Sequence, residues 1–414
     1  MDYNRLKEGV DIISWDNYPY WHKQKDEVPM AVKAAVNHSL MRSLLKAPFL
    51  LMESSPSSIS WREANPLKRP GMHMLSSMQA VAHGSDSVLY FQWRKGRGGF
   101  EKFHGAVLDH RNGSDTRVFR EVTELGERLS GLGELIDHTV NRPKAAIIFD
   151  WDNWWAVEDT QGPRLDFNYV KTILKHYRVF WENGIEADLV DMNDSLEGYS
   201  LVAAPLNYMY KEGYPEHVRK FVENGGIFVN TCFSGMVDDT DLCFTGQSPL
   251  EDVLGIIQEE IDAPSEEFEN QFTYGGSVYP AQYLCEIVHA KENTEVLAVY
   301  EKDFYAGSPV VTRNSFGKGE AYYLAAESSL DFLRAFYQDL FRKAALENAL
   351  QTKLPYGVTV TERVGDNGKR VVFVMNFKNE PVCVEGIGKW TDAETKEVYE
   401  GTLEMKPFQC MILI

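Results

Sequence analysis

The sequence predicts an α/β protein that ends in a small all-β domain. Three observations carry this. Strand-like and helix-like patterns alternate through residues 1 to about 140, and alternate again from about 144 to 350, after the turn Asn141-Arg-Pro143. From about Pro355 only short strand patterns remain. Successive βα units imply parallel sheets covered by helices. The expected domains are 1–140, 144–350 and 355–414.

In the first region, Asp11 to Trp15 reads as a strand, Pro29 to Lys46 as a helix and Phe49 to Met52 as a strand. Gly71 to His83 then reads as a helix and Ser87 to Trp93 as a strand. Asp115 to His138 is a long amphipathic helix with Val118, Val122, Leu125 and Leu129 on one face. The run Phe49 to Met52 is short and uniformly apolar, which suits a strand buried on both faces. Glu53 follows it directly. In a parallel sheet this puts Glu53 at the carboxyl end of its strand, where barrels and open α/β sheets place their chemistry. The bland alternative is a solvated or helix-capping carboxylate. The three strands end in Trp15-Asp-Asn-Tyr18, Glu53-Ser-Ser-Pro56 and Gln92-Trp-Arg94, and a parallel sheet brings those clusters to one rim.

The second region opens with Ala145 to Phe149, continues through a helix near Phe167 to Asn183, and offers strands at 187–190, 201–204 and 227–231. This pattern predicts an open, doubly wound domain. Val310 to Leu324 has two β-rich runs around a Gly-x-Gly turn and reads as a hairpin, unlike a phosphate loop. The last region offers strands at 356–363, 370–377, 381–384 and 405–414, with a turn at 365–368.

Composition narrows the partners. Forty-two basic against 61 acidic residues give a formal charge of -19, which excludes nucleic acid and anionic membrane as expected partners and suits neutral or cationic ligands, sugars among them. The nine Trp and 20 Tyr supply flat rings suited to pyranose faces as well as to packing. The five cysteines are scattered without Cys-x-x-Cys spacing, so they read as reduced thiols, and no metal or cofactor is expected. With no leader pattern and no apolar run near the roughly 18 residues a membrane helix needs, a cytoplasmic protein is the expectation. Cys232, in Asn230-Thr-Cys-Phe-Ser-Gly235, follows a strand as a nucleophilic thiol does, but lacks a glycine-flanked elbow.

Taken together, Ile12 to Pro19, Phe49 to Pro56, Asn65-Pro-Leu-Lys-Arg-Pro70, Tyr90-Phe-Gln-Trp-Arg94 and Gly98 to Gly105 resemble the family 42 glycoside hydrolases, which are β-galactosidases. The likeness continues through Phe149-Asp-Trp-Asp-Asn-Trp-Trp155. It implies part of a (β/α)8 TIM barrel from strand six onward, then an amidotransferase-like (flavodoxin-like) α/β domain that forms a homotrimer, then a small antiparallel β domain. By the same likeness Glu53 is the nucleophile of a retaining mechanism on a β-galactoside. Tyr18 stands beside it, Trp61 contacts the sugar, and Glu101 and His104 hold galactose hydroxyls from one loop. A neighbouring phenol or Arg94 favours the ionised carboxylate. On the residues alone, Trp61 also serves packing, Glu101 an exposed charge pair with Lys102, and His104 a loop structure.

The family's general acid belongs to an Asn-Glu pair on the fourth barrel strand, whereas Asn379-Glu380, the sole Asn-Glu pair here, falls in the β domain. The resemblance therefore implies an incomplete site. One option is a separately encoded amino-terminal polypeptide that completes the barrel, and little galactosidase activity is expected of this chain alone. The rival expectation is a non-catalytic galactoside-binding or assembly protein.

Overall fold

The computed structural model describes residues 1–111, 113–265 and 267–414. Three strands open the fold: β1 (Ser14–Asp16), β2 (Phe49–Glu53) and β3 (Ser85–Val88), all parallel, with β2 in the centre. The helices Val28–Leu45, Met72–Ala82 and Arg117–Ile136 accompany them. His38 of the first helix stacks on Phe49, which seats that helix on the central strand. Burial of β2 departs from the expectation: Phe49 and Leu51 are buried, but Met52 is 42% exposed and Leu50 half-buried. The helices cover one face of the strand, and the other stays partly open.

Two strand boundaries also move. β1 starts at Ser14, and β3 ends at Val88, well before Trp93. Beyond Val88 the chain follows β2 past its end, with Leu89 N–H on the Leu51 carbonyl (3.0 Å) and Phe91 N–H on that of Ser54 (3.0 Å). The helix Arg117–Ile136 starts where the Thr116 hydroxyl accepts from Phe119 N–H (3.2 Å), a capping bond. Its predicted stripe extends by one turn. Leu125 and Leu132 are buried, while Val118, Val122 and Leu129 are half-buried. A two-residue strand, β4 (Thr139–Val140), follows.

The middle of the chain builds a seven-stranded sheet on β5 (Ala145–Ile148), β6 (Ala187–Val190), β7 (Leu201–Ala204) and β8 (Ile227–Thr231), every residue of which is buried. Next come β9 (Ile256–Asp262), β10 (Asn270–Tyr274) and β11 (Ser277–Ala290), which the sequence reading leaves unassigned. Then follow β12 (Glu295–Val299), β13 (Pro309–Phe316), β14 (Gly319–Leu324) and β15 (Ala326–Glu327). The parallel strands run β6-β5-β7-β8-β14, the flavodoxin-like order, and β13 and β12 extend the sheet antiparallel. The hairpin expected at 310–324 is β13–β14. β9, β10 and β15 gather on the long strand β11 as a second sheet.

The carboxyl-terminal strands are β16 (Val358–Gly365), β17 (Arg370–Asn376), β18 (Val382–Thr391), β19 (Val398–Met405) and β20 (Cys410–Leu413). The strand expected at 381–384 runs on to Thr391 and pairs with β19 in a long hairpin. The strand expected at 405–414 divides, with Met405 closing β19 and β20 starting at Cys410. One sheet is ordered β20-β17-β16-β4. Among the described residues, no helix is long and apolar enough to cross a membrane.

Contacts divide the chain into two compact units. One comprises Met1–Asn4, Pro143–Phe180 and Ala187–Leu346; the other comprises Arg5–Arg142, Trp181–Glu186 and Glu347–Ile414. The βα units and the small β domain therefore share a unit. At their junction Trp21 stacks on Phe377 (6.1 Å), and the guanidinium of Arg363, 1% exposed, is surrounded by acceptors. Its Nε donates to the Thr139 hydroxyl, Nη1 to the carbonyls of Val81 and Ser85, and Nη2 to the Thr139 carbonyl and the Asp86 carboxylate, all at 2.7 to 3.3 Å.

Arg363→Met leaves the Val81, Ser85 and Thr139 carbonyls without this donor and is expected to lower stability by about 3 kcal/mol or more, read as the urea midpoint. A loss under about 1 kcal/mol would contradict this role. In the other unit, Glu286 on β11 is fully buried, and burial pushes its carboxyl up to about 7 against hydrogen bonds from Tyr323, Phe233 N–H and Gln258. An acid whose folded pKa exceeds its unfolded one keeps its proton in the folded state, so its stability deficit develops as pH rises from the ordinary carboxyl range to about 7. Glu286→Gln should therefore raise the stability at pH 8 by on the order of 3 kcal/mol, read as a higher melting temperature, with the gain shrinking toward pH 5. An equal gain at both pH values would refute the linkage.

Candidate active site

Glu53 is the last residue of β2, and its carbonyl accepts from Asn17 N–H (2.9 Å), which joins the ends of β1 and β2. Its half-buried side chain accepts a hydrogen bond from the Tyr18 phenol (2.7 Å). The two expected residues are thus brought together. Burial first, then the Glu53 hydrogen bond and charge, hold the Tyr18 phenol far above its ordinary range, so it remains a donor at any working pH. Asp16, opposite Glu53 in the strand pairing, has its carboxyl raised by burial and by the Glu53 charge. Arg94 is exposed and pairs through its backbone with Leu108, so it is the phenol that meets Glu53.

An aromatic cluster stands beside the carboxylate. The Trp61 indole, 50% exposed, lies edge-on to Tyr18 (4.9 Å) and stacks on the His104 imidazole (5.0 Å, 20°). His104 is fully buried, and its Nε2 lies 3.0 Å from the Phe91 carbonyl. A carbonyl only accepts, so Nε2 carries the proton and Nδ1 the lone pair. Burial lowers the pKa of this ring, which is neutral at pH 7. Glu101 is exposed, and its carbonyl accepts from His104 N–H (2.9 Å). The two residues share one turn, with one side chain in solvent and the other beneath Trp61.

Backbone bonds lock the loop after Glu53 to the loop that carries His104. The Ser55 hydroxyl donates to the Ser58 carbonyl (2.8 Å), and Gly105 N–H donates to the same oxygen (2.8 Å). Glycine is required at 105, because a Cβ there would lie 2.5 Å from the Ser58 oxygen. Sequence reasoning missed two residues here. Arg62 donates to the Tyr18 carbonyl (2.6 Å) and lies over the Tyr20 ring (4.3 Å), and Lys68 donates to the Ser55 carbonyl (2.5 Å). Both line a small cleft with Tyr18, Ser55 and Ser58. The available signal was Lys68 inside Asn65-Pro-Leu-Lys-Arg-Pro70, a segment that supported the resemblance without being given a role.

Other candidates fall away. Cys232 is fully buried, and burial, then Glu327 and Glu286, push its thiol well up, the reverse of what a nucleophilic thiol needs. Glu380 lies in the connection between β17 and β18 and pairs with Lys378. Among the described residues, no group of three or more His, Cys, Asp or Glu is placed to hold a metal ion. What remains is a carboxylate with a phenol donor at a strand end, beside an indole face open to solvent. Such a group can attack an electrophilic carbon while the ring supports an apolar sugar face.

Comparison with known proteins agrees in extent. The β-galactosidase family model matches residues 1–132, the β-galactosidase trimerisation domain 143–347 and the β-galactosidase C-terminal domain 357–413. The chain is 44% identical over 425 residues to β-galactosidase Pbg of Clostridium perfringens, covering 100% of this chain and 61% of that protein. Among solved structures, the cold-adapted β-galactosidase of Rahnella sp. R3 superposes with a TM-score of 0.94 at 44% identity, over 100% of this chain and 61% of that one. Gan42B, a family 42 β-galactosidase, does so with a TM-score of 0.95 at 40% identity, over 100% of this chain and 60% of that one. The chain spans about three fifths of the length of these relatives. With the three domain matches in sequence and leaving only short connections unmatched, the chain belongs to glycoside hydrolase family 42.

Proposed function

We propose that Glu53 is the nucleophile of a retaining β-galactosidase and that this chain carries the nucleophile side of the site. One observation carries the reading: Glu53 ends the central strand of a parallel sheet with the Tyr18 phenol 2.7 Å away, beside the half-exposed Trp61. The carboxylate attacks the anomeric carbon as the aglycone leaves, and water later releases galactose. Trp61 supports the pyranose ring, while Glu101 and His104 serve its hydroxyls. Retention needs a second carboxyl about 5 Å from the first to protonate the departing oxygen. We assign it to another strand of a (β/α)8 barrel of which β1–β3 are part, because three strands do not close a barrel. The same protein or a separate amino-terminal polypeptide supplies that strand.

The domain assignment follows the same reading. Residues 1–140 contribute to the barrel, 144–350 form an amidotransferase-like domain through which the protein trimerises, and 355–414 form the closing β domain. The flavodoxin-like strand order supports the second assignment.

A probe whose leaving group needs no proton isolates the role of Glu53. With 2,4-dinitrophenyl 2-deoxy-2-fluoro-β-D-galactoside, peptide mass spectrometry is expected to find one fluorogalactosyl group on Glu53 and none on the Glu53→Gln chain. Failure of the folded chain to take up label, or label on another residue, overturns the assignment. Tyr18→Phe removes a hydrogen bond to a charged acceptor, worth about 1.5–3 kcal/mol, so labelling should slow about 10- to 100-fold. An unchanged rate would mean that the phenol contributes nothing to the attack.

A further inference from the structure

Lys68 is 9% exposed, in the segment between β2 and the helix Met72–Ala82. Burying an ammonium is costly unless it is well bonded. Its hydrogen-bond partner is the Ser55 carbonyl at 2.5 Å, and no ion pair with Lys68 occurs among the described residues. The charged and titratable groups facing it come from two helices and the segment after β3. Glu121, on the helix Arg117–Ile136, is the facing carboxylate and is itself held by Arg117 at 2.7 and 2.9 Å. His73, on the helix Met72–Ala82, is kept neutral by burial first and then by Lys68 and Arg117, and its Nε2 lies 3.0 Å from the Tyr90 hydroxyl.

The carbonyl that Lys68 holds belongs to the residue two beyond Glu53, at the centre of the bonds that lock the site's two loops. On one side, the Ser54 carbonyl accepts from Phe91 N–H (3.0 Å), and Phe91 in turn offers its own carbonyl to the His104 ring. On the other, Ser55 and Gly105 share the Ser58 oxygen, and no side chain at 105 would leave room for that contact. A shift of Ser55 therefore moves the seat of His104 as well as the strand end that carries Glu53.

We infer that Lys68 is a positioning residue: its ammonium, acting through Ser55, holds the loop that sets Glu53 against Tyr18 and seats His104 beneath Trp61. The proposal deepens the nucleophile reading and depends on it in the labelling arm of its test alone. Protonation is what makes the contact strong, since a charged donor bonds a carbonyl about twice as well as a neutral amine. Burial pulls the Lys68 ammonium down to about 8, with Glu121 opposing, so the anchor weakens as pH rises through that value. Arginine at this position keeps its charge throughout that range.

The test pairs two readouts on the whole chain as wild type, Lys68→Arg and Lys68→Met, between pH 7 and 9.5. The first is the maximum rate of fluorogalactosyl labelling of Glu53, kept distinct from the concentration for half-maximal rate. The second is the nitrogen-15 signal of the His104 ring, which is neutral across this range and so reports its surroundings. In wild type the maximum rate should fall about fivefold or more as pH rises, with the half-maximal concentration little changed, and the His104 signal should shift in parallel. Lys68→Arg should abolish both changes, and Lys68→Met should show the high-pH state already at pH 7. A His104 signal that ignores both pH and Lys68→Met, or an alkaline fall that persists in Lys68→Arg, overturns the proposal. If Lys68→Met does not fold, the wild-type and Lys68→Arg pair decides by the same criteria. Absence of any labelling in wild type refutes the nucleophile reading instead, and the His104 signal then judges Lys68 alone.

Discussion

Five N–H groups of one buried guanidinium meet five acceptors at the junction of β16 with the βα units, and the position of Glu53 follows from that contact. Arg363 holds the end of the helix Met72–Ala82 at Val81 and the start of β3 at Ser85. Ser85 then meets β2 directly, its hydroxyl accepting from Leu51 N–H (3.0 Å). Leu51 is two residues before Glu53. A planar fork suits this place better than an ammonium, because its donors diverge in fixed directions toward carbonyls that belong to three different segments. The carboxyl-terminal domain, remote in sequence, is thereby part of what sets the register of the site-bearing strand.

Much of the architecture was legible because the physics involved is local. The apolar runs Ala145 to Ile148 and Leu201 to Ala204, and Ile227 to Thr231 with its apolar start Ile227 to Val229, are the buried parallel strands they read as, since a two-sided interior favours such runs. Phe49 to Met52 reads the same way but is buried on one face only. Composition cannot distinguish a strand covered by helices on both sides from one whose second face awaits other cover. β9 and β11 escaped notice for the opposite reason. β9 is rich in Glu, and β11 contains Pro280, so neither announces a strand, and tertiary pairing decides them. The long hairpin β18–β19 was lost at its register shifts near Gly386, where alternation is interrupted.

At the site, what could be read was what sits at strand ends. Asp16 and Glu53 end adjacent parallel strands and Tyr18 lies two residues past the first of them, so the meeting of Tyr18 with Glu53 follows closely from topology once the sheet is parallel. The loop residues were harder. Trp61 stacking on His104 and the Ser55–Ser58–Gly105 lock depend on backbone geometry that no local pattern encodes, and Glu101 and His104, three apart, end on opposite sides of the solvent boundary. Lys68 and Arg62 were given no role by the sequence. Each instead satisfies a backbone carbonyl of the site.

The charge balance of the site favours a neutral ligand over an ionic one. Burial first, and then the Glu53 charge, raise the Asp16 carboxyl, and the Tyr18 phenol meets Glu53 as a neutral donor. Arg62 and Lys68, the nearby positive groups, face backbone oxygens away from the carboxylate. An anionic ligand would meet the Asp16 and Glu53 carboxylates, whereas a neutral ligand with hydroxyls could donate to them. The chain's overall charge of -19 acts in the same direction at long range. Arg62 and Lys68 thus act on the loops themselves, through the Tyr18 and Ser55 carbonyls.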